Sequence, residues 1–151
     1  MSDIPEGFEP VQRIQPHTFA GLAGPFYAKR DGREISLGLR IEERHLNNRG
    51  TGHGGLIATL ADIALGYACA AASAAEGGGK NFVTIDLQVQ YLASTRAGDW
   101  VQSEVRVLNA GARTASAVGH LLANGQPVAR ISANFRMART RPAAPDAPAE
   151  S

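Results

Sequence analysis

The sequence predicts an α+β fold in which one antiparallel sheet of about six strands wraps around a single long helix. Segments of alternating apolar and polar residues lie on both sides of one Ala-rich segment, HGGLIATLADIALGYACAAASAA, which runs from His53 to Ala75. Alternation with a period of two is typical of half-buried strands, whereas the Ala-rich segment is long and apolar enough for a core helix. Because one helix must serve the whole sheet, we expect the twisted sheet to curl around it.

Turn residues separate the predicted strands. The strand ISLGLRI is joined by the turn KRDGRE to an earlier one at GPFYAK, as a hairpin. After the helix and a GGGKN break come TIDLQVQY, WVQSEVRVL, RTASAVGHLLA and PVARISANFRMA, the last two joined by an Asn124-Gly125 hairpin turn. In TIDLQVQY, alternation places four residues on the buried face: Ile85, Leu87, Val89 and Tyr91. We expect a domain over residues 21–138, a loosely ordered segment over 1–20 and a flexible Pro/Ala-rich tail over 139–151.

Composition excludes several classes of protein. With 15 Lys and Arg against 14 Asp and Glu in 151 residues, the net charge of +1 favours neither nucleic acid nor an acidic membrane surface. One cysteine and four scattered histidines offer no disulfide framework and no zinc-binding spacing, so we expect no metal and a reducing, cytoplasmic setting. The N-terminus has no signal-peptide pattern. The apolar segment is interrupted by Asp62 and Gly66 and lacks aromatic or basic flanks, so we expect no membrane span.

The predicted helix has two different faces. At about 100° per residue, one stripe carries bulky side chains that should press into the sheet: Leu56, Leu60, Ile63 and Tyr67. A second stripe, about 120° away, carries Asp62 among small residues: Gly55, Gly66, Cys69 and Ser73. A lone carboxylate is costly to bury, so Asp62 is expected either to pair or cap where this face packs on another subunit, or to serve in chemistry.

The loop before the helix, HLNNRGTGHGG, ends where unpaired backbone N–H groups and the positive end of the helix dipole point outward. Gly54 and Gly55 leave those N–H groups unobstructed, so they suit a carbonyl oxygen that gains negative charge. His53 either caps and braces the loop or carries a proton. Nine residues separate His53 from Asp62, which places them on opposite sides of a helix. A site that contains both the helix N-terminus and Asp62, about two turns further along, is easier to build from two antiparallel copies of the chain.

These residues resemble the PaaI-type acyl-CoA thioesterases of the hotdog superfamily over about residues 22–138. The likeness rests on NNRGTGHGGLIATLADIALGYA, VTIDLQVQYLAST and AGDW, with Asn-x-x-Gly, HGG, an acid nine residues after the His, and T-x-D-x-x-x-x-Y. It implies a hotdog fold that hydrolyses acyl-CoA without a metal or organic cofactor. It also implies a homodimer or homotetramer, a dimer of dimers, in which a neighbouring subunit presents the acid.

The resemblance also implies roles at the catalytic positions. Gly54 donates its backbone N–H to the thioester carbonyl, and His53 helps to set that oxyanion site. Asn47 matches the residue that holds the reacting water or substrate, with the adjacent Asn48 as a competitor for this role. Asp62 matches the acid that acts as general base or nucleophile.

Further positions are implied to bind substrate. Gly55 belongs to the same helix start, and Thr84 falls where related enzymes have Ser or Thr near the acid, whereas Asp86 is expected to be structural. The CoA phosphates would need cations such as Arg130, Arg136 and Arg139, although an exposed cationic strand face explains these arginines as well.

Two other functions fit the same fold. A hotdog dehydratase or hydratase would need a His base in a differently spaced motif, whereas this chain has HGG followed by LAD. A non-catalytic acyl-CoA binding or sensing module would gain nothing from an acid at the reacting centre.

Overall fold

The computed structural model describes residues 3–75 and 81–138 and has the predicted architecture, one antiparallel sheet curled around one long helix. The elements in chain order are β1 Glu9–Pro10, α1 Phe19–Ala23, β2 Tyr27–Asp31, β3 Glu34–Arg40, a 3₁₀ turn Glu43–His45, α2 Gly54–Ala75, β4 Phe82–Tyr91, β5 Trp100–Ala110, β6 Thr114–Ala123 and β7 Gln126–Met137. The six predicted strands are present, and β1 makes a short seventh. The predicted tail, 139–151, and the possible cation Arg139 lie outside the described residues.

The strands are ordered β1-β2-β3-β5-β6-β7-β4, and neighbouring strands are antiparallel. Strand β4 directly follows α2 in the chain but pairs only with β7, so it forms one edge of the sheet. The β6–β7 hairpin has the expected turn, since Asn124 and Gly125 have φ angles of 49° and 82°. Two positive φ angles suit the right-handed twist of a two-residue hairpin, and Asn-Gly tolerates them best.

The helix face that packs on the sheet differs from the predicted stripe. Leu56 and Leu60 are buried as expected, but Ile63 and Tyr67 are only half-buried. The buried face combines bulky aliphatic residues with small ones: Ile57, Leu60, Ala61, Ala64, Leu65, Ala68 and Cys69. Alanine lets a helix lie close to the strands, so side-chain bulk is a poor guide to which face is buried.

Two residues grouped with Asp62 on the small-residue stripe belong to the interior instead. Cys69 is fully buried and Ser73 is 2% exposed. Burial raises the pKa of the Cys69 thiol from 9.0 to about 11, because a thiolate is poorly solvated there. The prediction that Cys69 and Ser73 face a partner was therefore wrong.

Length and composition alone would allow α2 to cross a membrane. The core helix of a soluble protein passes the same test, and one face of α2 is covered by the sheet.

The segment before β2 has more structure than its aperiodic sequence indicates. Glu9 and Pro10 pair with Ala28 and Tyr27, and the Phe8 ring packs edge-on against Trp100 at 5.0 Å between centroids. Such contacts depend on residues distant in sequence, so no local pattern announces them.

Candidate active site

The loop that leads into α2 is held by its own hydrogen bonds. The Asn47 carboxamide oxygen accepts from the N–H groups of Arg49 and Thr51 at 2.9 and 3.2 Å, and its nitrogen donates to the Thr51 hydroxyl at 3.0 Å. Gly50 turns the chain with a φ of 77°, a conformation that favours glycine. Asn47 thus braces the loop with both ends of its side chain, whereas Asn48 is exposed.

His53 caps the first turn of α2. Its Nδ1 accepts from the Gly55 N–H at 2.8 Å, and its backbone carbonyl accepts from the N–H groups of Leu56 and Ile57. The ring Nδ1 is therefore unprotonated in this arrangement, and the Gly55 N–H is engaged within the chain. Among the hydrogen bonds of residues 3–75 and 81–138, the Gly54 N–H has no acceptor. Gly54 therefore offers an open donor, as predicted, whereas the prediction of an open N–H at Gly55 was wrong because His53 Nδ1 accepts from it.

Tyr91 also belongs to this region, although no role for it was predicted. Its hydroxyl donates to the Gly54 carbonyl oxygen at 2.5 Å. Alternation predicted a buried Tyr91, yet the residue is 53% exposed. The tyrosine at the end of T-x-D-x-x-x-x-Y was visible in the sequence, but its contact with Gly54 spans 37 residues.

These groups line a groove of about 370 Å³ at the start of α2, which we name the helix-start groove. Its lining includes Asn47, Thr51, Gly52, Gly54, Ile57, Tyr91 and Thr95.

Asp62 lies half-buried in the middle of α2 and has a definite partner. The Thr84 hydroxyl donates to Asp62 Oδ1 at 2.6 Å, so one carboxylate oxygen is held by β4. A hydrogen bond from a hydroxyl to a carboxylate is short and charge-assisted, and it orients the acid. The structure therefore brings together Asp62 and Thr84, as the family resemblance implies.

A second groove, of about 760 Å³, contains this pair, and we name it the Asp62 groove. The apolar and aromatic part of its lining includes Ile63, Gly66, Tyr67, Ala70, Phe82 and Phe135. Arg13 and Arg30 also line it. Burial raises the pKa of Tyr67, while the positive charge of Arg13 acts in the opposite direction. The Tyr67 phenol thus stays protonated at neutral pH.

A β-bulge at Ile85 explains how Thr84 reaches Asp62. Thr84 is opposite Phe135, and Asp86 is opposite the next residue of β7, Asn134, so Ile85 is an extra residue in β4. The bulge reverses the alternation, because Thr84 now shares the helix-facing side with Leu87. Ile85, predicted to be buried, is 57% exposed. The sequence alternation alone would have directed Thr84 away from the helix.

Asp86 lies on the outer side of β4, away from Asp62. Its Oδ2 accepts from Asn134 and Gln88 side chains, each at 3.3 Å. Arg130 also lies away from both grooves, in a third groove that includes Gln90 and His120. The hydrogen bonds of Asp86 to side chains of the sheet agree with a structural role for it.

The predicted residues fall into two groups within one chain. The helix-start groove contains Asn47 and Gly54, and the Asp62 groove contains Asp62 and Thr84. Among the described residues, the two linings share no member. One chain thus presents an open amide donor at one place and an oriented carboxylate at another.

Residues 49–136 match the thioesterase superfamily. The chain belongs to this superfamily. It is 38% identical over 138 residues to a putative esterase of Pseudomonas aeruginosa, a match that covers 91% of this chain and 99% of that protein. It is 30% identical over 96 residues to acyl-coenzyme A thioesterase 13 of Mus musculus, covering 58% of this chain and 66% of the relative. The structure of the E. coli PaaI protein superposes with a TM-score of 0.70 at 20% identity, covering 82% of this chain and 86% of that one.

These likenesses confirm the resemblance to PaaI-type hotdog thioesterases, and the chain is a thioester hydrolase. The central helix and the edge position of β4 are features of its hotdog fold.

Proposed function

We propose that the protein hydrolyses acyl-CoA thioesters to a free acid and CoA. The observation that carries this proposal is that the chain presents two groups suited to thioester hydrolysis. These are an open Gly54 N–H at the start of α2 and, in a separate groove, the Asp62 carboxylate that Thr84 holds. The mouse relative, named as an acyl-coenzyme A thioesterase, supports the choice of substrate class.

In the proposed reaction, the Gly54 N–H donates to the thioester carbonyl oxygen and stabilises the negative charge that develops on it. Thr84 occupies Asp62 Oδ1, which leaves Oδ2 to accept a proton from the attacking water. The tetrahedral intermediate then collapses, the C–S bond breaks, and the proton passes to the departing CoA thiolate. Alternatively, Asp62 attacks the carbonyl carbon itself, the C–S bond breaks, and CoA leaves as a thiolate that takes a proton from water. A second water then hydrolyses the resulting anhydride, which releases the acid and restores the Asp62 carboxylate.

The same proposal places each site between two copies of the chain. The helix-start groove of one copy would meet the Asp62 groove of the other, in a homodimer or a dimer of dimers. Strand β4 supports this arrangement because it is an edge strand with exposed apolar side chains, Val83 and Ile85, and the exposed Leu92 follows it directly. Such an edge presents unpaired backbone groups that a second strand can pair with.

The test measures release of free thiol from a panel of aromatic and aliphatic acyl-CoAs. We expect Asp62→Asn to lower kcat by at least about a hundredfold, the scale for losing a positioned base. Asp86→Asn is the matched control, because it makes the same chemical change on the outer side of β4, and it should stay within about twofold of wild type.

Wild-type turnover in Asp62→Asn would contradict the assignment of Asp62. Two alternative functions have their own signatures in the same panel. Acyl-CoA binding without thiol release would indicate a sensing module, and water addition to an enoyl-CoA would indicate a hydratase.

A further inference from the structure

A hydrogen bond from Tyr91 ties the end of β4 to the first residue of α2. The hydroxyl donates to the Gly54 carbonyl oxygen at 2.5 Å, and the ring lies beside Gly54, where a Cβ would be 3.3 Å from its Cζ. The following N–H, that of Gly55, donates to His53 Nδ1 at 2.8 Å. The peptide group between Gly54 and Gly55 is thus held at its oxygen by one side chain and at its nitrogen by another.

These two hydrogen bonds act at a part of the backbone that the helix itself holds weakly. Helix ends have few internal hydrogen bonds and fray, and two successive glycines have the widest choice of backbone angles. Gly54 lines the helix-start groove, so a rotation of the first turn would change how its N–H is oriented relative to that groove. An oxyanion donor is effective only when it is oriented before the reaction begins.

We infer that Tyr91 is a positioning residue that holds the first turn of α2 so that the Gly54 N–H points into the helix-start groove. The inference rests on the proposed function for what that N–H binds. Tyr91 touches the backbone carbonyl of Gly54 and acts on the reaction through it. Within one chain Tyr91 is 53% exposed, so water can replace its hydrogen bond, and the contact adds little to the stability of that chain.

Tyr91→Phe tests the inference, because it removes the hydroxyl and keeps the ring beside Gly54. We expect kcat for acyl-CoA to fall about tenfold, the scale for one hydrogen bond, with KM within about twofold and an unchanged midpoint of thermal unfolding. Tyr27→Phe is the matched control: this ring packs 5.8 Å from Trp100, outside both grooves, and its kcat should be unchanged. Amide hydrogen exchange, followed by NMR, should be faster at Gly55 in Tyr91→Phe than in Tyr27→Phe.

Each outcome decides the inference. Equal kcat values in Tyr91→Phe and Tyr27→Phe would overturn it, and so would a raised KM with unchanged kcat, which would make Tyr91 a substrate contact. If the wild-type protein releases no thiol from any acyl-CoA, the proposed function fails, and amide exchange alone decides the positioning. Faster exchange at Gly55 would then support it, and unchanged exchange would overturn it.

Discussion

Gly54 and Asp62 lie in different grooves of one chain. They are eight residues apart on α2, which corresponds to a rise of about 12 Å. A carbonyl oxygen on the Gly54 N–H, an attacking water and a base must each be within about 3 Å of the next group, and the tetrahedral angle of attack bends that path to well under 10 Å. We therefore expect that catalysis with both groups uses Asp62 from a second copy.

Mixing two inactive variants tests this expectation. Gly54→Val places a Cβ 3.3 Å from the Tyr91 ring and displaces the open N–H, so we expect a barrier about 3 kcal/mol higher, comparable to losing one oxyanion donor. Asp62→Asn removes the base. Gly54→Val is a better partner than a change at Asn47, whose side chain holds the loop together.

The two variants are unfolded, mixed in equal amounts and refolded, and thiol release is measured. Random pairing makes about half of the dimers mixed, and each mixed dimer has one intact site and one doubly defective site, so about a quarter of wild-type activity should return. Asp62→Asn mixed with Thr84→Val is the control, because both changes lie in the Asp62 groove and no site regains both residues.

If the mixture releases thiol no faster than the summed rates of the separate variants, the shared site is refuted, provided that native mass spectrometry confirms mixed dimers. Asp62 would then be an acid that acts within its own chain or a residue that packs against a partner.

Two further predictions concern single side chains. Thr84→Val keeps the shape of the side chain and removes the donor to Asp62 Oδ1, so steady-state kinetics should show a kcat about tenfold lower. Thr84→Ser keeps the hydroxyl, and its kcat should stay within a few-fold of wild type. Equal losses of kcat in both variants would contradict the role of the hydroxyl. For Cys69, burial raises the thiol pKa from 9.0 to about 11, so the folded state keeps a proton that the unfolded chain releases. The free energy of unfolding should be unaffected by this group below pH 9 and should fall by up to about 3 kcal/mol as the pH rises towards 11. Denaturant titrations at pH 8 and 10.5 should show a smaller fall in this free energy for Cys69→Ala than for wild type. Equal falls in the two proteins would exclude the thiol as the cause.

Much of the fold could be predicted because its strands follow local rules. ISLGLRI and ISANFRM alternate cleanly, and Asn124-Gly125 supports only a few turn types, so the strands and the last hairpin were predicted correctly. The buried face of α2 was predicted less well, since apolar periodicity in an Ala-rich helix is weak and bulky residues such as Tyr67 line a groove instead. Pairing of Glu9 and Pro10 with β2 depends on a distant strand and has no local signature.

Half of the candidate site depends on an irregularity that no local pattern reveals. TIDLQVQY alternates without interruption, so its sequence contains no sign of an extra residue at Ile85. The bulge appears only when β4 is paired with β7, where Thr84 and Asp86 face the adjacent residues Phe135 and Asn134. This one insertion turns the Thr84 hydroxyl towards Asp62 and leaves the Ile85 side chain exposed on an edge strand. The acid is therefore oriented by the same strand whose free edge we propose to pair with a second copy, and a shift in how β4 pairs would alter both at once.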